Sequence, residues 1–205
     1  MKTLRITGAI AAIAAIAAMG TLFSLTPAFA LDHDHDHTAQ ATKMTAEQMA
    51  ATMAANRADL VGNVAFVSGH IVELAKAVPA DKFGWRPAPG VRSFAEVQLH
   101  VAGANYFLPK MLGMELPSDA PDLAKIETAA TEKEAVIAIL DKSLAFAKKT
   151  FETFPAEKLD NQVEFFGQKM SSRAVLLILQ GHLHEHLGQS IAYARMNGVT
   201  PPWSQ

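Results

Sequence analysis

The chain contains no cysteine among its 205 residues, so disulfide stapling and a cysteine nucleophile are both excluded. It also lacks a basic excess. Its 18 Lys+Arg stand against 20 Asp+Glu, for a formal net charge of −2 with histidines neutral. That balance leaves no basic stripe, and nucleic acid is not an expected partner. No sustained apolar/polar alternation of the kind that marks strands runs through the sequence. The longest predominantly apolar run is Ala/Ile-rich and lies at the N-terminus, from Ile6 to Leu25.

That run has the organisation of an export signal. Lys2 and Arg5 precede it, and Ala28-Phe29-Ala30 follows as a small-residue cleavage motif. An uncleaved membrane anchor is the competing reading, since the run is almost long enough to span. The cleavage motif and the polar segment after it favour removal between Ala30 and Leu31. Residues 1–30 hold two basic residues and no acidic ones, so the mature charge becomes −4. The remaining 175 of 205 residues suit one domain with a substantial core. The expected location is the periplasm or the exterior of a bacterium, without membrane attachment after cleavage.

Residues 31–44 read as a flexible Asp/His-rich tail containing Asp32-His-Asp-His-Asp-His37. If Leu31 becomes the N-terminus, Leu31-Asp32-His33 offers an amine, two amides and an imidazole. Four nitrogens in that order suit square-planar copper(II) or nickel(II). The bland reading is a solvated low-complexity run.

From residue 45 to 205 the signals are helical. Thr45-Ala-Glu-Gln48, Ser93-Phe-Ala-Glu96 and Thr131-Glu-Lys-Glu134 each have the form of a capping box. A stripe Leu60, Val64, Val67, Ile71, Leu74 marks the first helix, which stops before Pro79. Val97, His100, Ala104, Phe107 and Met111 mark the second, with Pro109 kinking or ending it. Val136, Leu140, Leu144 and Phe151 mark the third, which runs to about Phe154. A connection with Val163, Phe165 and Phe166 has partly extended character. The fourth helix starts near Ser171 or Ser172 and ends at Asn197-Gly198. Gly181 and Gly188 lie inside it, and close approach of another helix or a ligand would account for them. The fold class is all-α, a four-helix bundle.

The chemistry is carried by histidine. His182 and His186 are four residues apart, just over one helical turn, so both imidazoles leave the same face and can share one ion. His100 occupies the apolar stripe of the second helix. Three neutral imidazoles with water in the fourth position is a common catalytic zinc arrangement, and nickel, cobalt or iron accept the same donors. Each ring could instead be a hydrogen-bonded core histidine. His184 should point away, about 200° around the helix from His182. Glu185, about 60° from His182, could orient a ligand or lie solvated at the edge. His70 falls beside the first stripe. His182-Leu-His-Glu-His186 also fits H-x-x-E-H, but that peptidase class needs a downstream acidic ligand and a larger chain, and this reading is rejected.

Two segments together carry a family resemblance. One is Phe83-Gly-Trp-Arg-Pro-Ala-Pro-Gly-Val-Arg-Ser93 leading to Leu99-His100-Val101. The other is His182-x-x-x-His186-Leu-Gly-Gln189 followed by Tyr193-Ala-Arg-Met-Asn-Gly198. In order and spacing they resemble the DinB-like superfamily of small helical-bundle metalloproteins, over roughly Thr45 to Trp203. The resemblance implies an up-up-down-down bundle, a divalent metal on three histidines, and frequently a homodimer. His100, His182 and His186 match the ligand positions. Relatives include bacillithiol S-transferases and mycothiol-dependent maleylpyruvate isomerase, in which the metal is thought to activate a thiol. Those thiols are cytosolic, whereas this sequence carries an export signal.

Two functions follow as alternatives. One is a metal-dependent hydrolase or thiol S-transferase that activates water or a thiol against a small-molecule substrate, with Trp85 and Arg86 lining its mouth. The other is a non-catalytic envelope protein that binds metal or ligand, suggested by the Asp32–His37 tail. A bundle with vestigial histidines is a third reading.

Overall fold

The computed structural model describes residues 44–204. The expected signal peptide (1–30) and nearly all of the tail (31–44) lie outside the described residues.

Helix α1 spans Ala46–Ala77. Its first turns carry the expected capping box: Gln48 N donates to Thr45 Oγ1 at 3.1 Å, and Thr45 N donates to Gln48 Oε1 at 2.8 Å. Helix α2 spans Phe94–Met111, α3 Lys133–Thr153 and α4 Ser172–Met196. The box that opens α2 is complete, with Glu96 N to Ser93 Oγ at 3.2 Å and Ser93 N to Glu96 Oε2 at 2.7 Å. Pro109 sits in the last turn of α2, where the helix is about to end. Ser171 caps α4, and Gly198 with φ +74° closes it, a left-handed stop that glycine adopts without strain.

The third expected box does not form. Glu132 is the N-cap of α3, without a side-chain cap bond. The next residue, Lys133, extends its ammonium to the carbonyls of Lys76 and Val78 at 2.6 and 2.8 Å. A cation there meets the negative end of α1, and this contact anchors the start of α3.

The partly extended connection is a two-stranded hairpin, β1 Gln162–Phe165 and β2 Gln168–Ser171. Phe166 and Gly167 turn it with φ +48° and +83°. Positive φ at both turn residues matches the strand twist, as in a type I′ turn.

Long-range contacts fix the helix directions. Lys133 ties the start of α3 to the end of α1, while Arg57 donates to the carbonyls of Glu152 and Phe154 near the end of α3. These two helices are therefore antiparallel. Asn63 of α1 accepts from Gln180 and His184 of α4, and His70 farther along α1 meets Trp203 beyond α4. These two run the same way. Gln98 pairs with Ser190, and Phe107 meets Phe166, so α2 opposes α4.

The bundle has two helices in each direction, as expected. Their order along the chain is up-down-down-up, one step displaced from the expected up-up-down-down. The connection over 78–93 turns the chain back at once. The longer one over 112–132 carries it along the bundle, so α3 repeats the direction of α2.

The apolar stripes meet inside: Val64, Val67, Ile71, Val97, Leu140 and Leu179 are essentially inaccessible. Gly181 and Gly188 are exposed, and a Cβ on either would meet nothing within 4 Å. The close approach expected at these glycines is absent among the described residues.

Candidate metal centre

Helix α2 delivers His100 from one side, and α4 delivers His182 and His186 from the other. All three are buried. Their ring centroids are 5.0 Å (His100–His182), 4.8 Å (His100–His186) and 4.3 Å (His182–His186) apart. One nitrogen from each ring lies within 4.8 Å of the others, close enough to share an ion.

The outward nitrogens decide which atoms are free. His100 Nδ1 lies 2.7 Å from Glu127 Oε1. A carboxylate can only accept, so Nδ1 carries the proton and Nε2 keeps its lone pair. His186 Nδ1 lies 2.7 Å from Gln189 Oε1, which takes the Nδ1 proton in the same way, and Gln189 Nε2 donates onward to Tyr193 Oη at 3.2 Å. His182 Nδ1 is buried without a partner among the described residues. His182 Nε2 stands 3.2 Å from His100 Nε2. Tetrahedral zinc with bonds of about 2.0–2.1 Å needs ligand nitrogens about 3.3–3.4 Å apart. The His100–His182 spacing therefore fits a divalent ion held through their Nε2 atoms, with His186 in reach of the same ion.

Burial favours the neutral forms of His182 and His186. Burial brings the His182 pKa down to about 2, and the neighbouring rings of His186 and His100 add to the effect. Burial lowers that of His186 too, against the hydrogen bond to Gln189. A neutral imidazole is the form that ligates. At Glu127 burial opposes ionisation. Hydrogen bonds from His100 and Arg92 outweigh it and hold the carboxyl at about 2.

The other sequence candidates fall elsewhere. His184 faces away from the rings and donates to Asn63 Oδ1 at 2.8 Å. Glu185 is exposed at the helix edge. His70 bonds the Phe66 carbonyl through Nδ1 at 2.9 Å and packs against Trp203. Trp85 is half-buried with its ring 5.3 Å from Tyr193, so it backs the residue that holds Gln189. Arg86 closes its own loop by bonds to the Val91 carbonyl and Glu96, which makes it a surface pair.

Sequence reasoning left three residues of this arrangement unassigned: Glu127, Arg92 and Gln189. Gln189 was findable, since three residues from His186 places it on the same helix face. Glu127 sits in a turn-rich connection with no periodic pattern to mark it.

No curated protein matches the sequence. Several solved structures share the fold. A DinB-like protein from Bacillus cereus superposes with TM-score 0.60 at 19% identity, covering 70% of this chain and 93% of that one. A DinB-like protein from Bacillus subtilis gives TM-score 0.53 at 22% identity over 69% and 93%. A conserved protein from Enterococcus faecalis gives 0.53 at 14% over 75% and 97%. The DinB superfamily pattern itself matches residues 67–190, a span that contains all three histidines and exceeds half of the sequence. The chain belongs to the DinB superfamily.

Proposed function

We propose that this is an exported metal-dependent enzyme that holds a divalent ion on His100, His182 and His186 and acts on a small-molecule substrate. The supporting observation is the convergence of three buried imidazoles, two of them with Nδ1 protons committed outward and Nε2 left free. A divalent ion on three imidazoles supplies Lewis acidity and lowers the pKa of a water or thiol in its open position. The protein's own part is to hold the rings of His182 and His186 neutral, fix the tautomers of His100 and His186 through Glu127 and Gln189, and exclude bulk water by burial. Hydrolysis by activated water suits an exported protein better than transfer of a cytosolic thiol. Zinc, nickel and iron all suit the donor set, and the expected assembly is a homodimer.

The Asp32–His37 tail favours a second reading, a non-catalytic envelope protein that binds metal or ligand. Metal analysis of untagged protein from its own host tests the shared premise. A hydrolase and thiol-transfer panel on metal-stripped and reloaded protein then separates the two. Turnover that vanishes on stripping and returns on reloading supports the enzyme. Metal-loaded protein inert across both panels favours the binding role.

A further inference from the structure

We propose that Glu127 is the positioning residue of this centre, fixing the tautomer and ring orientation of His100, and that Gly103 is glycine so that the turn carrying Glu127 can lie close enough to do so. The inference rests on the metal-binding reading above.

His182 and His186 have their spacing set by one helix. His100 comes from another helix, and its ring can turn independently of theirs. The contact that fixes it is Nδ1 to Glu127 Oε1 at 2.7 Å. Arg92 holds the same carboxylate with a fork: Nε to Oε2 at 2.9 Å and Nη2 to Oε1 at 3.0 Å. Two parallel bonds stop the carboxylate from swinging, which one bond would permit. The proton of His100 is thereby held at Nδ1 and its lone pair at Nε2.

The backbone explains how Glu127 arrives. It lies on the single 3-10 turn Ile126–Thr128, inside the long connection between α2 and α3. Ile126 is 4% exposed and packs with Ala102, Tyr106 and Phe146. A Cβ added at Gly103 would stand 3.1 Å from Ile126 Cγ2, closer than side chains comfortably approach. Gly103 is three residues beyond His100, so both lie on the same side of α2. Glycine is a poorer helix former than alanine, and here it leaves the space that Ile126 fills. A methyl group at 103 would displace Ile126, and Glu127 is its neighbour in the chain. A carboxylate behind a ligating imidazole makes it a better donor, and its loss typically weakens metal binding by about 10–100-fold.

The test measures two things on the full chain. Histidine ring 15N shifts in the metal-free protein report the His100 tautomer, and competition with a chromophoric chelator reports zinc affinity. Wild type should show His100 protonated at Nδ1. Glu127→Ala should lose that preference and bind zinc about 10–100-fold more weakly. Glu127→Gln should fall between, because its carbonyl accepts the proton but carries no charge and offers Arg92 no matched fork. Gly103→Ala touches no polar group and should shift both readouts in the same direction, which keeps the test alive should Glu127→Ala fail to fold. Unchanged tautomer and unchanged zinc affinity in the Glu127 and Gly103 variants overturn the proposal while leaving the metal reading intact. If wild type takes up no zinc, the metal reading fails, and the tautomer in Glu127→Ala still decides whether Glu127 positions His100.

Discussion

The Nε2 atoms of His100 and His182 stand 3.2 Å apart, although 82 residues separate them in the chain. Two imidazole nitrogens at that distance either share one proton or present two lone pairs to a common ion. With the His100 proton held at Nδ1 by Glu127, the second arrangement is available without any rearrangement of that ring.

Removal of any one of His100, His182 or His186 should lose most of the bound metal, because two imidazoles hold a divalent ion far less tightly than three. His184→Ala should keep it, since that ring bonds Asn63 on the far side of α4. Ligand loss also forfeits metal-linked stability, on the order of 3–4 kcal/mol at 100 to 1,000 times Kd. Melting with and without zinc checks this in protein whose tail residues His33, His35 and His37 are alanine. Equal zinc-dependent shifts in wild type and His182→Ala would rule the site out.

The metal-free protein should lose stability on acidification. The His182 pKa is about 2 in the fold against an ordinary value of 6.5, so the unfolded chain binds the extra proton between those limits. His186 is shifted the same way. Their contribution is complete above about pH 6.5 and is lost as the pH falls towards 2. Glu127, lowered from 4.5 to about 2, adds a second loss below pH 4.5. Urea midpoints from pH 7.5 down to 4.5 measure the slope, and His182→Leu should flatten it. A wild-type midpoint independent of pH would mean that the rings protonate in place.

Gly181→Ala and Gly188→Ala should each stabilise the protein by about 1 kcal/mol. Both glycines are helical and exposed, and a Cβ at either meets nothing within 4 Å. Denaturant titration of the single and double variants decides it. A destabilised double variant would overturn this expectation.

The exported protein should begin at Leu31. Intact mass of the secreted form checks the cut, and retention of residues 1–30 in the membrane fraction contradicts it. With that terminus, one tight equivalent of copper(II) should bind and should vanish in His33→Ala. Equal copper binding by the variant would make the Leu31-Asp32-His33 motif incidental.

Local sequence determined the elements of this protein. The apolar stripes at steps of three and four, the boxes at Thr45 and Ser93, and the stops at Pro79 and Gly198 all act within a few residues, and the helices begin and end where those signals place them. The i, i+4 pair His182 and His186 was legible for the same reason, since helical geometry alone puts both rings on one face. Sequence also set His184 apart from them by angle alone.

Tertiary structure decided what depends on the path of the chain between helices. The up-down-down-up order follows from where the connections over 78–93 and 112–132 travel, which no periodic pattern records. The start of α3 moved from a local box at Thr131 to Lys133 because the α1 carbonyls offer that ammonium a partner. Glu127 reaches His100 because Ile126 finds the space above Gly103, a fit between a turn and a helix 20 or more residues apart. Such contacts depend on shape and distance across the bundle, and neither exists until the helices have packed.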